Sequence, residues 1–372
     1  RVEHAVTVIG FLQPERAEAA NTMLTECEEV ITVRYPARAF LARLWRQLWR
    51  VLLPRVYGRC VSIRYWMALR SLLARKQFDV AIVNGMMAPY GSLLGGTKRV
   101  LDEVDVYSVV AYQETRNEKR LLPRIWATAD FVRLLLAELH YANSYDAVLV
   151  RSRKDQVFLR TFLPNQEIAL VPPWFEGLET LREISPIRPS GNRLLFVGAM
   201  NLPANIEAVL YFSQEVLPLI RREIPDVEFN IVGSAPISDV EKLADLPGIT
   251  VTGEVADLAP YFESCAVNVV PLLTGGGIIL KALNGMAAAR PTVTTPEGNS
   301  GTGARPGRDL LVVDNTPRSF ADAVIELLLD DQLWQELANS GQQYVRRHYR
   351  WSDTVNKLED HLRSVVERSP AE

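Results

Sequence analysis

The chain has 372 residues, 41 lysines and arginines against 44 aspartates and glutamates, and 48% hydrophobic residues. That length fits two domains, and the apolar share supplies a packed core, which excludes a disordered chain, a collagen and a plain coiled rod. A net charge of −3 excludes a generally basic nucleic-acid binder, and no run of about 18 uncharged apolar residues is present to cross a bilayer.

Short apolar runs alternate with helix-length segments from end to end. Residues 6–9, 30–33, 80–83, 100–101, 147–150 and 168–171 read as strands of a first half. Residues 194–197, 227–232, 249–252, 267–270, 292–294 and 310–313 repeat the theme in a second. Strands this short and apolar suit parallel sheets covered by helices on both faces, so the pattern is doubly wound α/β, twice. Proline clusters from Pro172-Pro173-Trp174 to Pro186-Ile187-Arg188-Pro189 mark a connection between the halves. The expected organisation is a first domain over 1–175, a linker over 176–191, a second domain over 192–350 and a terminal segment over 351–372. In that segment 351–367 reads as a helix with Ser352 and Asp353 at its start, free to pack on either half.

Cys27, Cys60 and Cys265 are isolated, and His4, His140, His348 and His361 form no metal pattern. Reduced, mostly buried thiols in a cytoplasmic protein are the expected reading, with no metal site.

The charge is unevenly spread. Residues 34–76 hold eleven basic residues and no acid, so the other 329 carry −14. At 100° per residue, Leu41, Leu44, Trp45, Leu48, Trp49 and Leu52 share one arc, and Arg43, Arg46 and Arg50 lie opposite. A helix of that kind sits at an anionic membrane surface, or packs on the sheet with its arginines solvated.

Ligands of a doubly wound sheet bind beyond the carboxyl ends of its strands. The most informative loop there is Pro271-Leu272-Leu273-Thr274-Gly275-Gly276-Gly277-Ile278-Ile279-Leu280-Lys281, with a helix expected from about Gly277. Glycines let backbone approach a ligand, and free N–H groups at a helix start favour phosphate. Lys281, one turn in, adds a positive charge there or is a surface lysine. Asp102 and Asp105, at the end of a strand, either reach a cleft to bind sugar or acceptor hydroxyls, or cap the following turn.

Residues 193–350 resemble the donor domain of family-four (group one) retaining glycosyltransferases of the GT-B fold. The segments carrying the likeness are Phe196-Val197-Gly198-Ala199-Met200, Pro203-Ala204-Asn205-Ile206-Glu207-Ala208, Ile231-Val232-Gly233, Val251-Thr252-Gly253-Glu254-Val255, the glycine-rich turn and Arg290-Pro291-Thr292-Val293-Thr294-Thr295. The first half resembles such enzymes more weakly, through Val100-Leu101-Asp102-Glu103-Val104-Asp105.

The resemblance implies two Rossmann-like domains facing across a cleft, with a nucleotide-sugar donor on the second and a glycan or lipid-linked acceptor on the first. Gly275, Gly276, Gly277 and Ile278 would then meet the diphosphate. Gly233, Thr252, Gly253 and Val255 would line base and ribose, and Gly198 and Asn205 would border the phosphate. Asp102, Asp105, Lys281 and Asn284 would take the catalytic roles. The reaction would be hexosyl transfer with retention, independent of metal and of any cofactor beyond the nucleotide sugar as substrate. The enzyme would be cytoplasmic, peripheral on the inner face of a membrane through 34–76.

This chain departs from the family where a glutamate pair normally stands eight residues apart, having Gly276 and Asn284. An arginine is also common near Gly276 or Ile279, and arginine and lysine shortly after Gly198. The departures keep open a catalytically silent scaffold or partner subunit of an active transferase. A nucleotide-sugar epimerase lacks a suitable acid and histidine set.

Overall fold

The computed structural model describes residues 4–12, 27–34, 54–58, 60–117, 120–173, 177–275 and 277–368. The helix expected over 41–52, Trp174 and Gly276 lie outside these. By internal contacts the chain divides into a first unit of residues 1–150, 158–169 and 360–372, and a second of 151–157 and 170–359.

The first unit opens with β1 (Thr7–Leu12) and β2 (Glu29–Arg34), paired in parallel with Ile9 opposite Ile31. Helix α1 (Ile63–Arg75) begins at Ser62, whose hydroxyl accepts from the Tyr65 N–H. Tyr65 and Leu69 of α1 pack with Val33 and Leu94 as a small core. A second parallel sheet runs β3 (Val80–Asn84), β4 (Lys98–Glu103), β5 (Ala147–Val150) and β6 (Ile168–Leu170) in that order. All four residues of β5 are buried, as an interior strand with helices on both faces requires.

After β4 the chain makes a helical hairpin, α2 (Tyr107–Asn117) and α3 (Leu121–Ser144). At 1.5 Å per residue the 24 residues of α3 make a rod of about 36 Å. Leu134, Glu138 and Ala142 form its buried face. Tyr112 of α2 packs on Phe131 of α3 at 5.5 Å between ring centres. Residues 360–368 join this unit through Glu167, which pairs with His361 Nδ1 at 3.2 Å and with Arg368.

The second unit is a six-stranded parallel sheet of β7 (Arg193–Val197), β8 (Glu228–Val232), β9 (Ile249–Val251), β10 (Val267–Val270), β11 (Thr292–Thr294) and β12 (Leu311–Val312). Their spatial order is β12-β11-β10-β7-β8-β9. The chain starts in the middle, steps outward through β8 and β9, then returns to the other side of β7 and steps outward again. The point of reversal, between β7 and β10, is where this topology opens a crevice for a ligand.

Alternation along β7 sets the two cores. Leu194 and Phe196 face a layer with Phe212, Phe229 and Phe320, whose rings meet at 4.7 and 5.7 Å. Leu195 faces the other layer with Leu283, Met286 and Val345. The helices that follow strands here include α4 (Pro203–Tyr211), α5 (Leu280–Ala287) and α6 (Pro317–Leu329); α7 (Asp331–His348) comes directly after α6, and α8 spans Trp351–Glu367 as its sequence predicts. Among the described residues no helix is long and apolar enough to cross a membrane.

Candidate functional site

The second unit brings the loops after β7 and β10 together at the reversal point. After β7 the chain turns at Gly198, whose N–H donates to the Val232 carbonyl at 3.0 Å. Gly233, at the matching end of β8, has φ +150°, and a Cβ there would overlap the Gly198 carbonyl. A Cβ on Gly198 would lie 2.7 Å from Asn205 Nδ2. Gly233 is required by the closeness of two backbones, while a side chain at Gly198 would press on the Asn205 amide.

Pro203 stands in the first turn of α4, where its missing N–H costs nothing. It launches Asn205, nearly buried, back toward the loop. Asn205 Nδ2 donates to the Ala199 carbonyl at 2.9 Å, and Oδ1 accepts from Lys281 Nζ, also at 2.9 Å. The Lys281 ammonium lies 5.5 Å from the centre of the Phe196 ring. Its half-buried position strips water from the charge, and this desolvation lowers its pKa from 10.5 to about 8. Lys281 is thus a cation joined by a neutral amide to the loop after β7, charged at pH 7 and poorly hydrated.

The glycine-rich turn differs from its sequence reading in one respect. Helix α5 starts at Leu280, three residues later than predicted, because Gly277 has φ +66° and stands outside helical space. Its N-cap, Ile279, offers no side-chain oxygen, so the first N–H groups of α5 have no side-chain cap. Ile279 is buried in the sheet core, while Ile278 packs against the opposite layer. Gly275 has ordinary space, since a Cβ there would lie 3.6 Å from Ile279 Cδ1. Gly301, φ +72°, carries the neighbouring loop directly over the Gly277 carbonyl, where a Cβ would lie 2.5 Å away. Thr274 Oγ1 donates to Glu207 Oε2 at 3.1 Å, a second link from this turn to α4.

Asn284 lies one turn beyond Leu280 with 9% of its surface exposed, and its Oδ1 has no hydrogen-bond partner among the described residues. Such a buried acceptor carries a desolvation penalty until a donor reaches it. The next residue, Gly285, admits no side chain, since a Cβ would strike Asn268 Nδ2 and Thr292 Oγ1. On the far side of β7, the Gly253 N–H region follows Thr252, whose hydroxyl donates to the Gly253 carbonyl at 2.9 Å. Gly253 has φ +72° and open space around it, whereas Val255 packs on the core.

The first unit holds the two remaining candidates. Asp102 and Asp105 flank the end of β4, both partly buried. Period-two alternation puts Glu103 on the same face as Leu101, and it is the more deeply buried acid, at 2% exposure. A Cβ on Gly85 would overlap its carboxylate. Glu138 of α3, equally buried, accepts the Ser108 N–H at 3.0 Å. Tyr57 and Tyr107 lie near these acids. Burial first, then the charges of Glu103 and Glu138, push the Tyr57 hydroxyl far up, and burial with Asp105 and Glu103 pushes Tyr107 to about 12. Sequence reasoning misses Glu103 and Glu138. The alternation of Leu101 and Glu103 against Asp102 is the signal that could have found the first of them.

Residues 191–330 match the family model described as glycosyl transferases group 1. The chain is 27% identical to a GDP-mannose-dependent alpha-(1-6)-phosphatidylinositol monomannoside mannosyltransferase of Mycobacterium tuberculosis, over 95% of this chain and 92% of that one. Among solved structures it is similar to Anabaena HepE in complex with UDP and glucose, with TM-score 0.62 and 12% identity over 92% and 89% of the two chains. It is also similar to Staphylococcus aureus TarM in complex with fondaparinux, alpha-GlcNAc-glycerol and UDP, with TM-score 0.62 and 13% identity over 80% of this chain. The chain spans 58% of that TarM chain. The fold is the GT-B type, with two Rossmann-like halves.

Proposed function

We propose, for a chain that is a group 1 glycosyltransferase by its 191–330 domain, that it transfers a hexose from a nucleotide-sugar donor to a glycan or lipid-linked acceptor, with retention at the anomeric carbon. The observation that carries this reading is the Lys281–Asn205 pair at the reversal point of the second sheet, beside the uncapped start of α5.

In such a transfer the bond from the sugar C1 to the diphosphate oxygen breaks, and the acceptor oxygen bonds to C1 and gives up its proton. Negative charge grows on the departing nucleoside diphosphate. A poorly hydrated ammonium and free backbone N–H groups already facing that charge need no reorganisation when it develops, which is where electrostatic catalysis gains most. Lys281 takes this role, and Asn205 positions it. The N–H groups of Gly277, Ile278 and Leu280 bond to the same phosphates in this reading, and the glycines of the turn bring no side chain of their own. Asn284 donates or accepts one bond to a donor hydroxyl where a glutamate would make a charge-assisted bond of about twice the strength. Gly253 and Thr252 flank the base and ribose. Asp102 and Asp105 bind acceptor or sugar hydroxyls from the first unit.

The diphosphate is neutralised in this reading by protein cations and N–H groups, without metal. The basic stretch 34–76 supplies charge toward an anionic membrane, which agrees with a lipid-linked acceptor and a cytoplasmic, membrane-peripheral enzyme. Thermal unfolding of the full chain against UDP, GDP, ADP, TDP and CMP with their sugars tests the donor half of the proposal. Ligand at 100 times its Kd adds about 2.7 kcal/mol of stability. A shift with one nucleotide supports the reading, and no shift with any of them favours the silent scaffold.

A further inference from the structure

The α2–α3 hairpin of the first unit carries a surface that the transferase site does not use. Along the first four turns of α3, Leu121, Leu122, Ile125, Trp126, Val132 and Leu136 are 44–74% exposed. At 100° per residue they fall within one arc of about 140°, with Ala129 in its middle, opposite the buried Leu134, Glu138 and Ala142. The stripe runs about 22 Å at 1.5 Å per residue. Its surface is a shallow apolar depression of about 760 Å³, rimmed by Arg124 and Arg133.

A contiguous exposed patch of this kind on a soluble protein marks a docking site. We infer that α3 docks the first unit onto an anionic lipid surface. The arrangement fits a bilayer interface on three counts. The helix lies lengthwise with its apolar side outward, as an interfacial helix does. Trp126 sits at one margin of the stripe, the place where an amphipathic indole meets headgroups. Arg124 lies beyond the opposite margin and Arg133 beside Trp126, with aliphatic stems that extend along an apolar surface while the guanidinium stays wet.

The charge is complementary as well. Residues 120–136 hold three arginines, Arg120, Arg124 and Arg133, against one acid, Asp130, in a chain whose net charge is −3. A protein partner would be met more often by a helix whose stripe is rimmed with both signs. Of the acids on α3, Glu138 is buried, and Asp130 pairs with Arg133, so the net positive charge at the rim falls on Arg124. This inference deepens the membrane part of the proposed function by naming the folded element that inserts. It does not depend on donor chemistry.

The test uses the full chain with sedimenting vesicles of phosphatidylcholine alone or with about a third phosphatidylglycerol. The wild type partitions onto the anionic vesicles, and added salt weakens it. Leu122→Glu with Trp126→Glu lowers that partitioning at least tenfold, leaves the melting temperature within a few degrees and leaves any nucleotide-induced shift intact. Undiminished vesicle binding by the double variant overturns the inference and leaves membrane contact to 34–76 alone. A wild type that ignores vesicles but forms a dimer, which the double variant dissociates, overturns it in favour of a second copy of this chain. Loss of the nucleotide shift in the wild type bears on the transferase reading and leaves this test standing.

Discussion

The two halves are built on the same parallel-sheet plan and present opposite chemistry at the carboxyl ends of their strands. In the second, a lysine follows β10 and is tied through a neutral asparagine to the loop after β7. In the first, Glu103 at the end of β4 and Glu138 from α3 are buried with tyrosines around them. Burial shifts the two groups in opposite senses. It lowers the Lys281 ammonium to about 8, and it drives the tyrosines near the acids upward. One sheet therefore offers a poorly hydrated positive charge that an incoming diphosphate relieves. The other carries buried acids, with the partly buried Asp102 and Asp105 beside them. In the proposed reading this difference separates leaving-group stabilisation from acceptor binding.

Changes to each half sharpen or break this contrast. The largest effect is expected from Gly233→Ala, where the new methyl meets the Gly198 carbonyl. A loss of about 3 kcal/mol or more follows from clash combined with an unfavourable backbone angle, read as a lowered denaturation midpoint. Lys281→Met comes next, removing a charge-assisted bond to phosphate and weakening nucleotide binding by about 2–3 kcal/mol. The same variant without ligand should be at least as stable as the wild type, because a desolvated ammonium is itself costly. Calorimetric titration and melting together check both signs.

Asn205→Leu keeps the side-chain volume and leaves Lys281 without its acceptor. It should weaken nucleotide binding by about 1 kcal/mol. Wild-type nucleotide affinity should fall as pH rises through about 8, as Lys281 gives up its proton, and Lys281→Met should flatten that profile. Stability of the unliganded chain moves the other way. The folded-state pKa lies below the unfolded value of 10.5, so between about 8 and 10.5 the unfolded chain binds more protons, and this group makes folding more favourable as pH rises. The smallest effect on nucleotide binding is expected from Asp105→Asn, which should leave it unchanged while lowering transfer to the acceptor. Equal loss of both would break the separation of roles.

Strand positions are legible because buried parallel strands are continuous short apolar runs, and 267–270 and 147–150 agree with the structure to the residue. The helix Trp351–Glu367 is equally plain from Ser352 and Asp353 at its start. The start of α5 is not, because the sequence shows that a glycine permits positive φ and not that Gly277 adopts it. The backbone approach at Gly233 goes unannounced for a related reason. A glycine kept for backbone contact looks the same in sequence as one kept for a ligand. The Lys281–Asn205 link joins residues 76 apart, and no local pattern announces it. Glu103 is overshadowed by the aspartates on either side, although strand alternation assigns it to the face of Leu101.

The central claim is that Lys281, positioned by Asn205, holds the phosphates of a nucleotide sugar. The most direct measurement is thermal unfolding of wild type and Lys281→Met side by side across the nucleotide panel at pH 7 and pH 9. The account predicts a shift with one nucleotide in the wild type, smaller at pH 9, and little or none in the variant at either pH. An equal shift in both proteins would contradict it.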